Sequence, residues 1–229
     1  MTDVRSPLVT GTGADRLLEW LLMVWWFRRR PKPGDEVVSA RLPAAQQHEV
    51  PSEEELAALA ARAELGDDVA MGNLGAALHL TGDQAGALHW WGRAWEAGNV
   101  VAGYNLGMLY MAAGDANRAQ VVWEKAAALG DPDAMLGLVK QALDRGDTAG
   151  VERWVPVILG QDEAFPITAL GVAFRDRGDL TRAVEAFLRA EELGDGYAME
   201  YRARILAAQG RREEAEALLA RAARAERML

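Results

Sequence analysis

The side chains best suited to catalysis or metal binding are scattered in this sequence. His48, His79 and His89 are the three histidines, and none belongs to the His-Glu-x-x-His pattern that places two imidazoles on one helix face for zinc. A Gly-rich phosphate loop ending in Lys and a Gly-x-Ser-x-Gly elbow are also missing. The chain has no cysteine, which excludes disulfides and thiolate metal sites. We therefore predict a non-catalytic protein that needs no metal or other cofactor.

The charge of the chain is acidic and unevenly distributed. The net charge is -9, and residues 1–50 hold seven Lys and Arg against six Asp and Glu, which leaves 18 against 28 for the rest. Nucleic-acid affinity depends on basic side chains that neutralise phosphates, so we predict no nucleic-acid partner. Adjacent carboxylates such as Glu191 and Glu192 are interpreted as solvated helix ends. The lack of cysteine suits a reducing compartment, and we expect a cytoplasmic protein.

Two asparagines offer binding chemistry rather than catalysis. Asn73 and Asn105 occupy equivalent positions in two similar stretches of the chain, and each directly precedes a Leu-Gly pair. An amide side chain presents both a donor and an acceptor, which suits the backbone of an extended peptide. Met108 and Met111 follow Asn105 closely and would provide an adaptable apolar surface. These residues need a scaffold that repeats its geometry with the same spacing as the two asparagines.

The chain carries such a repeat. Two glycine series recur with a period of 32, namely Gly82, Gly114, Gly146, Gly178 and Gly210, and Gly66, Gly98 and Gly130 with Gly194 in phase after Asp162. Between the glycines lie short apolar segments of helical period. A period of this length indicates stacked helical hairpins. Each helix would be marginal alone, so stacking has to bury its apolar face.

The element boundaries follow from local signals. Five hairpins are predicted to begin near Asp68, Val100, Pro132, Ala164 and Gly196. Glycine at each turn suits a helix end that needs a left-handed residue. Ser52 and Glu55 form a capping box for a preceding single helix that ends at Gly66. Pro166 falls in a first turn, where it is tolerated, whereas Pro156 falls inside a helix and predicts a bend over residues 155–160.

The hairpins resemble the tetratricopeptide repeat in their motif of Leu-Gly, an aromatic, then Ala-x3-aromatic-x2-Ala. The second hairpin carries it best, with Leu106, Gly107, Tyr110, Ala119, Trp123 and Ala126, and the fourth with Leu170, Gly171, Phe174, Ala183, Phe187 and Ala190. The period is two residues shorter than the 34 of that family. The Ala-x-x-Asn-Leu-Gly start is also similar to the related Sel-like repeats. The resemblance covers residues 52–229.

Two hairpins depart from the motif. The third has Val139, Val151, Val155 and Ile158 where the others have Gly, Ala, an aromatic and Ala. The fifth has Arg202 at the Leu position. Small residues such as Gly107 would let the two helices of a hairpin approach, and aromatics such as Trp123 would fill the space beside them. The last helix is rich in charge, which is typical of a terminal cap.

The resemblance implies an all-α fold, a right-handed α-solenoid of about five helix-turn-helix repeats. Residues 52–66 would be a cap helix, and the repeats would span residues 68–99, 100–131, 132–163, 164–195 and 196–227. Ahead of them we predict a disordered tail over residues 1–13, an apolar and basic helix over 14–30, and a Pro-rich linker over 31–51.

In such stacks the first helix of each hairpin lines a concave groove, and in peptide-binding members an Asn before Leu-Gly hydrogen-bonds the ligand backbone. That role carries over to Asn73 and Asn105 alone, because Gly137, Ala169 and Tyr201 break the series. The predicted peptide-binding residues are Asn73, His79, Tyr104, Asn105, Met108, Met111, Lys140, Arg175, Tyr201 and Arg204. Lys140, Arg175 and Arg204 would meet acidic side chains or a carboxylate.

The segment Asp15–Arg30 is apolar on two helical faces and ends in three arginines. Its uninterrupted apolar part is much shorter than the roughly 20 residues of a membrane span. We predict a membrane or partner anchor made of Trp20, Trp25, Trp26, Arg28, Arg29 and Arg30. Three interpretations stay open: a lid on the first hairpin, a helix in a membrane interface, and an anchor for a partner chain or a second copy.

The sequence thus favours a protein-interaction scaffold or adaptor that binds a peptide or helix of another protein. The alternative is a membrane-peripheral assembly factor held by residues 15–30. A combined hypothesis has the N-terminal helix filling the groove until a partner displaces it. An enzyme has no supporting residue set.

Overall fold

A computed structural model describes residues 52–226, which form eleven α-helices and no strand. The helices are α1 Glu53–Glu64, α2 Asp68–Leu80, α3 Gln84–Glu96, α4 Val100–Ala112, α5 Ala116–Ala128, α6 Pro132–Arg145, α7 Thr148–Leu159, α8 Ala164–Arg175, α9 Leu180–Glu192, α10 Gly196–Ala208 and α11 Arg212–Glu226. The first helices of the five hairpins, α2, α4, α6, α8 and α10, begin at the predicted residues. No helix among α1–α11 has the length and apolar character needed to cross a bilayer.

Most helices in the stack share the same two end features, an Asp or Asn cap at the N-terminus and a turn glycine after the C-terminus. At the start of α2–α7, α9 and α10 an Asp or Asn side chain accepts a hydrogen bond from a first-turn backbone N–H. In residues 52–226, nine turn glycines have positive φ between 68° and 95°. These caps satisfy the end groups of each helix and keep the turns at a regular spacing. The predicted capping box of Ser52 and Glu55 is confirmed.

The connection between α7 and α8 is the exception. Asp162 stands at the glycine position, and Glu163 precedes α8 without a side-chain capping bond. The third residue of α8 is Pro166, as predicted for a first turn. Elsewhere the N–H of the third residue is usually the group that donates to the cap, as when Ala70 donates to Asp67. Since proline has no N–H, Pro166 removes the donor that a cap would serve.

The core lies between the first and second helices of each hairpin. In the first hairpin the indole of Trp91 lies against Gly75, where an added Cβ would come within 2.6 Å of the ring. Trp123 fits over Gly107 in the same way, and Phe187 over Gly171. The indole N–H groups of Trp91 and Trp123 each donate a 3.0 Å hydrogen bond to a backbone carbonyl of the first helix. The predicted pairing of small and aromatic residues is therefore confirmed.

The departure in the third hairpin is a matched change. Val139 replaces Gly and Val155 replaces the aromatic, so volume moves from the second helix to the first. Val139 is fully buried. In the fifth hairpin Ala203 is buried at the glycine position, but Leu219 at the aromatic position is 45% exposed, so the pairing is absent there. Helix α7 continues through Pro156 to Leu159, so the proline does not end it, and the predicted bend stays a prediction.

A buried ion pair explains Arg202, and it corrects the interpretation of Glu191. The Arg202 guanidinium lies 2.9 Å from a Glu191 carboxylate oxygen, and the two side chains are 18% and 7% exposed. Glu191 is thus part of the packing between α9 and α10 and not a solvated helix end. Burial raises the pKa of Glu191, against the opposing charges of Arg202 and Arg221. The sequence around Glu191 and Glu192 could not indicate this ion pair, because Arg202 belongs to the next hairpin.

Candidate protein-binding surface

The predicted binding residues lie on first helices, and the stack places them in sequence along one side. We call this set the first-helix face, and its members are Asn73, Asn105, Met108, Met111, Lys140, Arg175, Tyr201 and Arg204. All are half-buried except Arg204, which is exposed. Helix α4 packs against α6, α6 against α8, and α8 against α10, so the first helices from α4 onward are neighbours across hairpins.

The two asparagines have unused hydrogen-bonding capacity. Asn73 and Asn105 are half-buried, and their amides have no hydrogen-bond partner among residues 52–226. Both lie one residue before a buried leucine whose packing fixes the turn of helix that carries the amide. Two oriented amides one repeat apart can pair with the N–H and C=O groups of a bound chain.

The apolar part of the first-helix face follows Asn105. Met108 and Met111 are half-buried, and the Met111 sulfur accepts a long 3.5 Å hydrogen bond from Gln141. His79, also predicted for this surface, is half-buried and contacts the core of the first hairpin. Its ring lies 5.5 Å from the Trp91 ring, and its Nδ1 lies 2.9 Å from the Gln84 side-chain oxygen.

Tyr104 does not lie on an accessible surface. Its side chain is 1% exposed, and its ring stacks on Trp123 with the centroids 6.2 Å apart. We therefore remove Tyr104 from the set of ligand contacts. The misplacement has a simple cause: Tyr104 is next to Asn105, and adjacent residues on a helix point about 100° apart, enough to move one into the core.

A cluster of basic and aromatic side chains forms the far end of the first-helix face. Tyr201 stacks on Phe187 with centroids 5.4 Å apart. The Arg175 and Arg204 guanidinium carbons lie 4.8 and 5.5 Å from the Tyr201 ring centroid. These distances are within cation–π range. Arg175 also binds Asp176 through two nitrogens, which orients its guanidinium.

Lys140 lies on α6, in the third hairpin. Burial, together with the nearby charge of Arg177, lowers the pKa of Lys140 to about 8, against the carboxylates of Asp133, Asp176 and Asp144. Arg177 is a residue that the sequence interpretation missed, although it donates to the Lys140 carbonyl and bonds Asp144. Its position in a turn gave no signal of a contact with the preceding hairpin.

In the described part of the chain, His, Asp and Glu side chains form no group of three that could hold a metal ion. The proposed anchor residues between Trp20 and Arg30 lie outside the described residues. They remain predictions of the sequence.

The fold has solved counterparts. A Sel1 repeat protein from Oxalobacter formigenes aligns with a TM-score of 0.52 at 22% identity, covering 75% of this chain and 83% of that one. The protective antigen c5321 of uropathogenic Escherichia coli strains, described as displaying an SLR fold, aligns with a TM-score of 0.52 at 24% identity, covering 73% and 40%. No protein-family model and no curated protein matches the sequence.

These similarities show the fold. The described residues form a helical-repeat solenoid of the Sel1-like and tetratricopeptide type, as the motif predicted. Identities below 25% do not transfer a ligand, so the role of the first-helix face has to be argued from its own side chains.

Proposed function

We propose that this protein is a non-catalytic, cytoplasmic interaction scaffold whose first-helix face binds a peptide or helix of a partner protein. The observation that carries the proposal is the pair of half-buried amides of Asn73 and Asn105, in register and without partners in residues 52–226. Neither amide is among the buried side-chain atoms that lack a partner, so both reach solvent and can exchange bonds to water for bonds to the backbone of a ligand.

The chemistry along the surface fits one bound segment. The two amides would hold its backbone over the first two hairpins, and Met108 and Met111 would contact apolar side chains. The Arg175, Tyr201 and Arg204 cluster would accept an acidic or aromatic side chain at the other end. We propose no metal and no small-molecule cofactor in this arrangement.

The test is a crosslinking pull-down from the native host, followed by affinity measurements with the captured segment. The Asn73→Ala/Asn105→Ala variant should bind that segment roughly 30-fold more weakly, because two hydrogen-bonding sites worth about 1 kcal/mol each are removed. Asn117→Ala is the matched control, since Asn117 is an exposed asparagine on the second helix α5. Equal affinities for the two variants would contradict binding through the amides.

A second role rests on the N-terminal sequence. The run of Trp20, Trp25 and Trp26 with Arg28–Arg30 has the composition of a segment that lies in a membrane interface, with indoles at the headgroups and arginines on anionic lipid. We propose that this segment holds the scaffold at a membrane surface as a peripheral assembly factor.

Flotation of the full chain with vesicles tests this anchoring. Vesicles containing phosphatidylserine should carry the protein, and replacing Arg28, Arg29 and Arg30 by Glu should abolish flotation. Replacing Arg211, Arg212 and Arg224 by Glu changes the charge equally at the other end of the chain and should have no effect. A full chain that stays at the bottom of the gradient would exclude the anchor.

A further inference from the structure

Two clefts open between successive second helices, on different residues from the first-helix face. One lies between α5 and α7, and the other between α7 and α9. Each has a volume of about 280 Å³. This is below the roughly 300–1,000 Å³ of sites that enclose a whole small ligand, so each cleft fits a side chain better.

The clefts are the same site in consecutive repeats. Gln120, Leu138, Ala142, Gly150, Arg153 and Trp154 line the first, and the residues one period later line the second, namely Glu152, Leu170, Phe174, Arg182, Glu185 and Ala186. Helix α7 is the wall that they share. Their separation is therefore about the width of one helix, roughly 10 Å.

Each cleft combines a large residue with a small one. The first is lined by Trp154 and Ala142, and the second by Phe174 and Ala186 at the same two positions. The aromatic comes from the second helix in one case and from the first helix in the other. In the first cleft the half-buried Trp154 ring borders the space. In the second, Phe174 and Leu170 are 1% and 0% exposed, and the accessible apolar wall consists of Val155, Pro156 and Leu159.

Arg153 and Glu185 place opposite charges at equivalent positions of the two clefts, although Glu124, Arg145 and Asp147 also line the first. Those three are engaged locally: Arg145 donates to the Gln120 side chain, Glu124 accepts from it, and Asp147 accepts from the Gly150 N–H.

Arg153 stands at the first cleft and Glu185 at the second, and both are exposed. Within residues 52–226 no carboxylate lies in ion-pair range of Arg153, whose guanidinium rests 4.7 Å from the Trp154 ring centroid, and no cation pairs with Glu185. Glu152 and Arg182 lie only 3.5 Å apart and largely neutralise each other.

We propose that these two clefts form a second binding surface, which takes a peptide segment of a partner protein. The segment carries two large apolar side chains, one for each cleft, separated by about 10 Å, the width of the helix between them. An acidic residue beside the first apolar side chain meets Arg153, and a basic residue beside the second meets Glu185. The order of the charges fixes the direction in which the segment crosses α7.

This surface is independent of the function proposed for the first-helix face. None of its residues belongs to that face, so a scaffold could hold two segments at once. A variant that loses peptide binding at the clefts would still allow binding at the first-helix face to be measured, and the reverse.

The test selects binders of the full chain from a displayed library of random peptides and then measures which of them also bind the Asn73→Ala/Asn105→Ala variant. Peptides that also bind the asparagine variant should be enriched in two apolar residues flanked by an acidic residue on one side and a basic residue on the other. Exchanging the charges, Arg153→Glu/Glu185→Arg, should weaken these peptides about tenfold and strengthen synthetic versions with reversed charges. Arg211→Glu/Glu214→Arg exchanges the charges of an exposed ion pair elsewhere at constant net charge and should change neither.

A further variant tests the space itself. Ala149 lines the first cleft and is exposed, so Ala149→Trp can place a large ring in the mouth of that cleft without entering the core. It should abolish binding of the selected peptides, while the circular dichroism spectrum and Asn73-dependent binding remain. Binding that survives both the charge exchange and Ala149→Trp would overturn the proposal. So would a library in which every enriched peptide depends on Asn73 and Asn105, or one that yields no binder.

Discussion

Individual residue volumes decide how closely the two helices of each hairpin approach. From the first hairpin to the fourth, the paired positions hold Gly with Trp, Gly with Trp, Val with Val, and Gly with Phe. A larger side chain on the second helix is met by a smaller one on the first. In the fifth hairpin Leu219 is 45% exposed and takes no part in such a contact. Because protein interiors are close-packed, the total volume at this contact has little freedom.

Replacement of Gly107 by Ala should therefore destabilise the protein. The added Cβ would collide with the Trp123 indole, whose N–H is held by the Tyr104 carbonyl. Overpacking of this kind costs about 1–3 kcal/mol. Urea denaturation would show a lower free energy of unfolding.

Gly92→Ala is the matched control, because an added Cβ at Gly92 in α3 meets nothing within 4 Å. There the usual helix preference for Ala should stabilise the protein by about 0.5–1 kcal/mol. If Gly107→Ala raised the free energy of unfolding as Gly92→Ala does, helix propensity and not the fit to Trp123 would dominate at Gly107.

Single positions on the binding surface were only partly predictable. The repeat register identified Asn73 and Asn105 as equivalent, and the structure leaves both amides without partners in its described part. The same register could not tell whether Tyr104 faces the core or the surface, because both sides of a first helix are largely apolar. Contacts such as that of Arg177 with Asp144 link separate hairpins, and no local pattern encodes them.

At the scale of elements, the junction between α9 and α10 differs from the others in using charge. Glu191 and Arg202 stand where neighbouring repeats have apolar residues such as Leu159 and Leu170. Breaking a buried pair leaves one charge without compensation, whereas replacing both partners by apolar residues is often neutral or stabilising. The Glu191–Arg202 pair therefore favours packing of α9 against α10, since either helix packed against an apolar junction would bury an unpaired charge.

We expect Arg202→Leu to cost about 3–5 kcal/mol at pH 7, and Glu191→Leu/Arg202→Leu to restore the stability of the natural chain or exceed it by about 1–4 kcal/mol. Chemical denaturation of the single and double variants gives the coupling energy. A double variant that is as unstable as Arg202→Leu would contradict this view of the junction.

The same junction predicts a pH dependence. The pKa of Glu191 is raised above its ordinary value of 4.5 in the folded state, so the folded chain holds this proton more tightly than the unfolded chain. Protonation of Glu191 thus favours folding as the pH falls through the raised pKa towards 4.5. Because Arg202 opposes the rise, the destabilisation caused by Arg202→Leu should shrink between pH 7 and pH 5. A constant difference across that range would contradict the assignment.

Helix positions were largely readable from the sequence, because turn glycines and Asp or Asn caps act locally. Helix α7 is followed directly by Gly160, but Gly160 has a φ of -81° and lies two residues before the position of the glycine series, which Asp162 occupies. The start of α8 has no side-chain cap, because Pro166 removes the N–H that would donate to it. The third hairpin lacks most of the motif, so its motif positions could be assigned only by counting the 32-residue period from its neighbours. Its valines at the glycine and aromatic positions are explained by a contact between two helices, which one helix alone does not show.

For the whole molecule, the repeat determined the fold but not the partners. A fixed period forces each hairpin to bury its apolar faces against the next, and the solenoid follows. The clefts beside α7 depend on which large and small residues meet across a junction. The positions of the clefts therefore cannot be predicted from one repeat, because they depend on contacts between consecutive repeats in the folded chain.

Trp123 also touches the next hairpin, where an added Cβ at Gly137 would come within 3.0 Å of its ring, whereas Phe187 meets Tyr201 at the equivalent place. Each unit is thus shaped for its particular successor. If the second and fourth units were transposed, the Trp123 indole would meet the Tyr201 ring. In the natural chain the same indole meets Gly137, which has only a hydrogen atom as its side chain. The units are alike in pattern, yet they have no freedom to be shuffled.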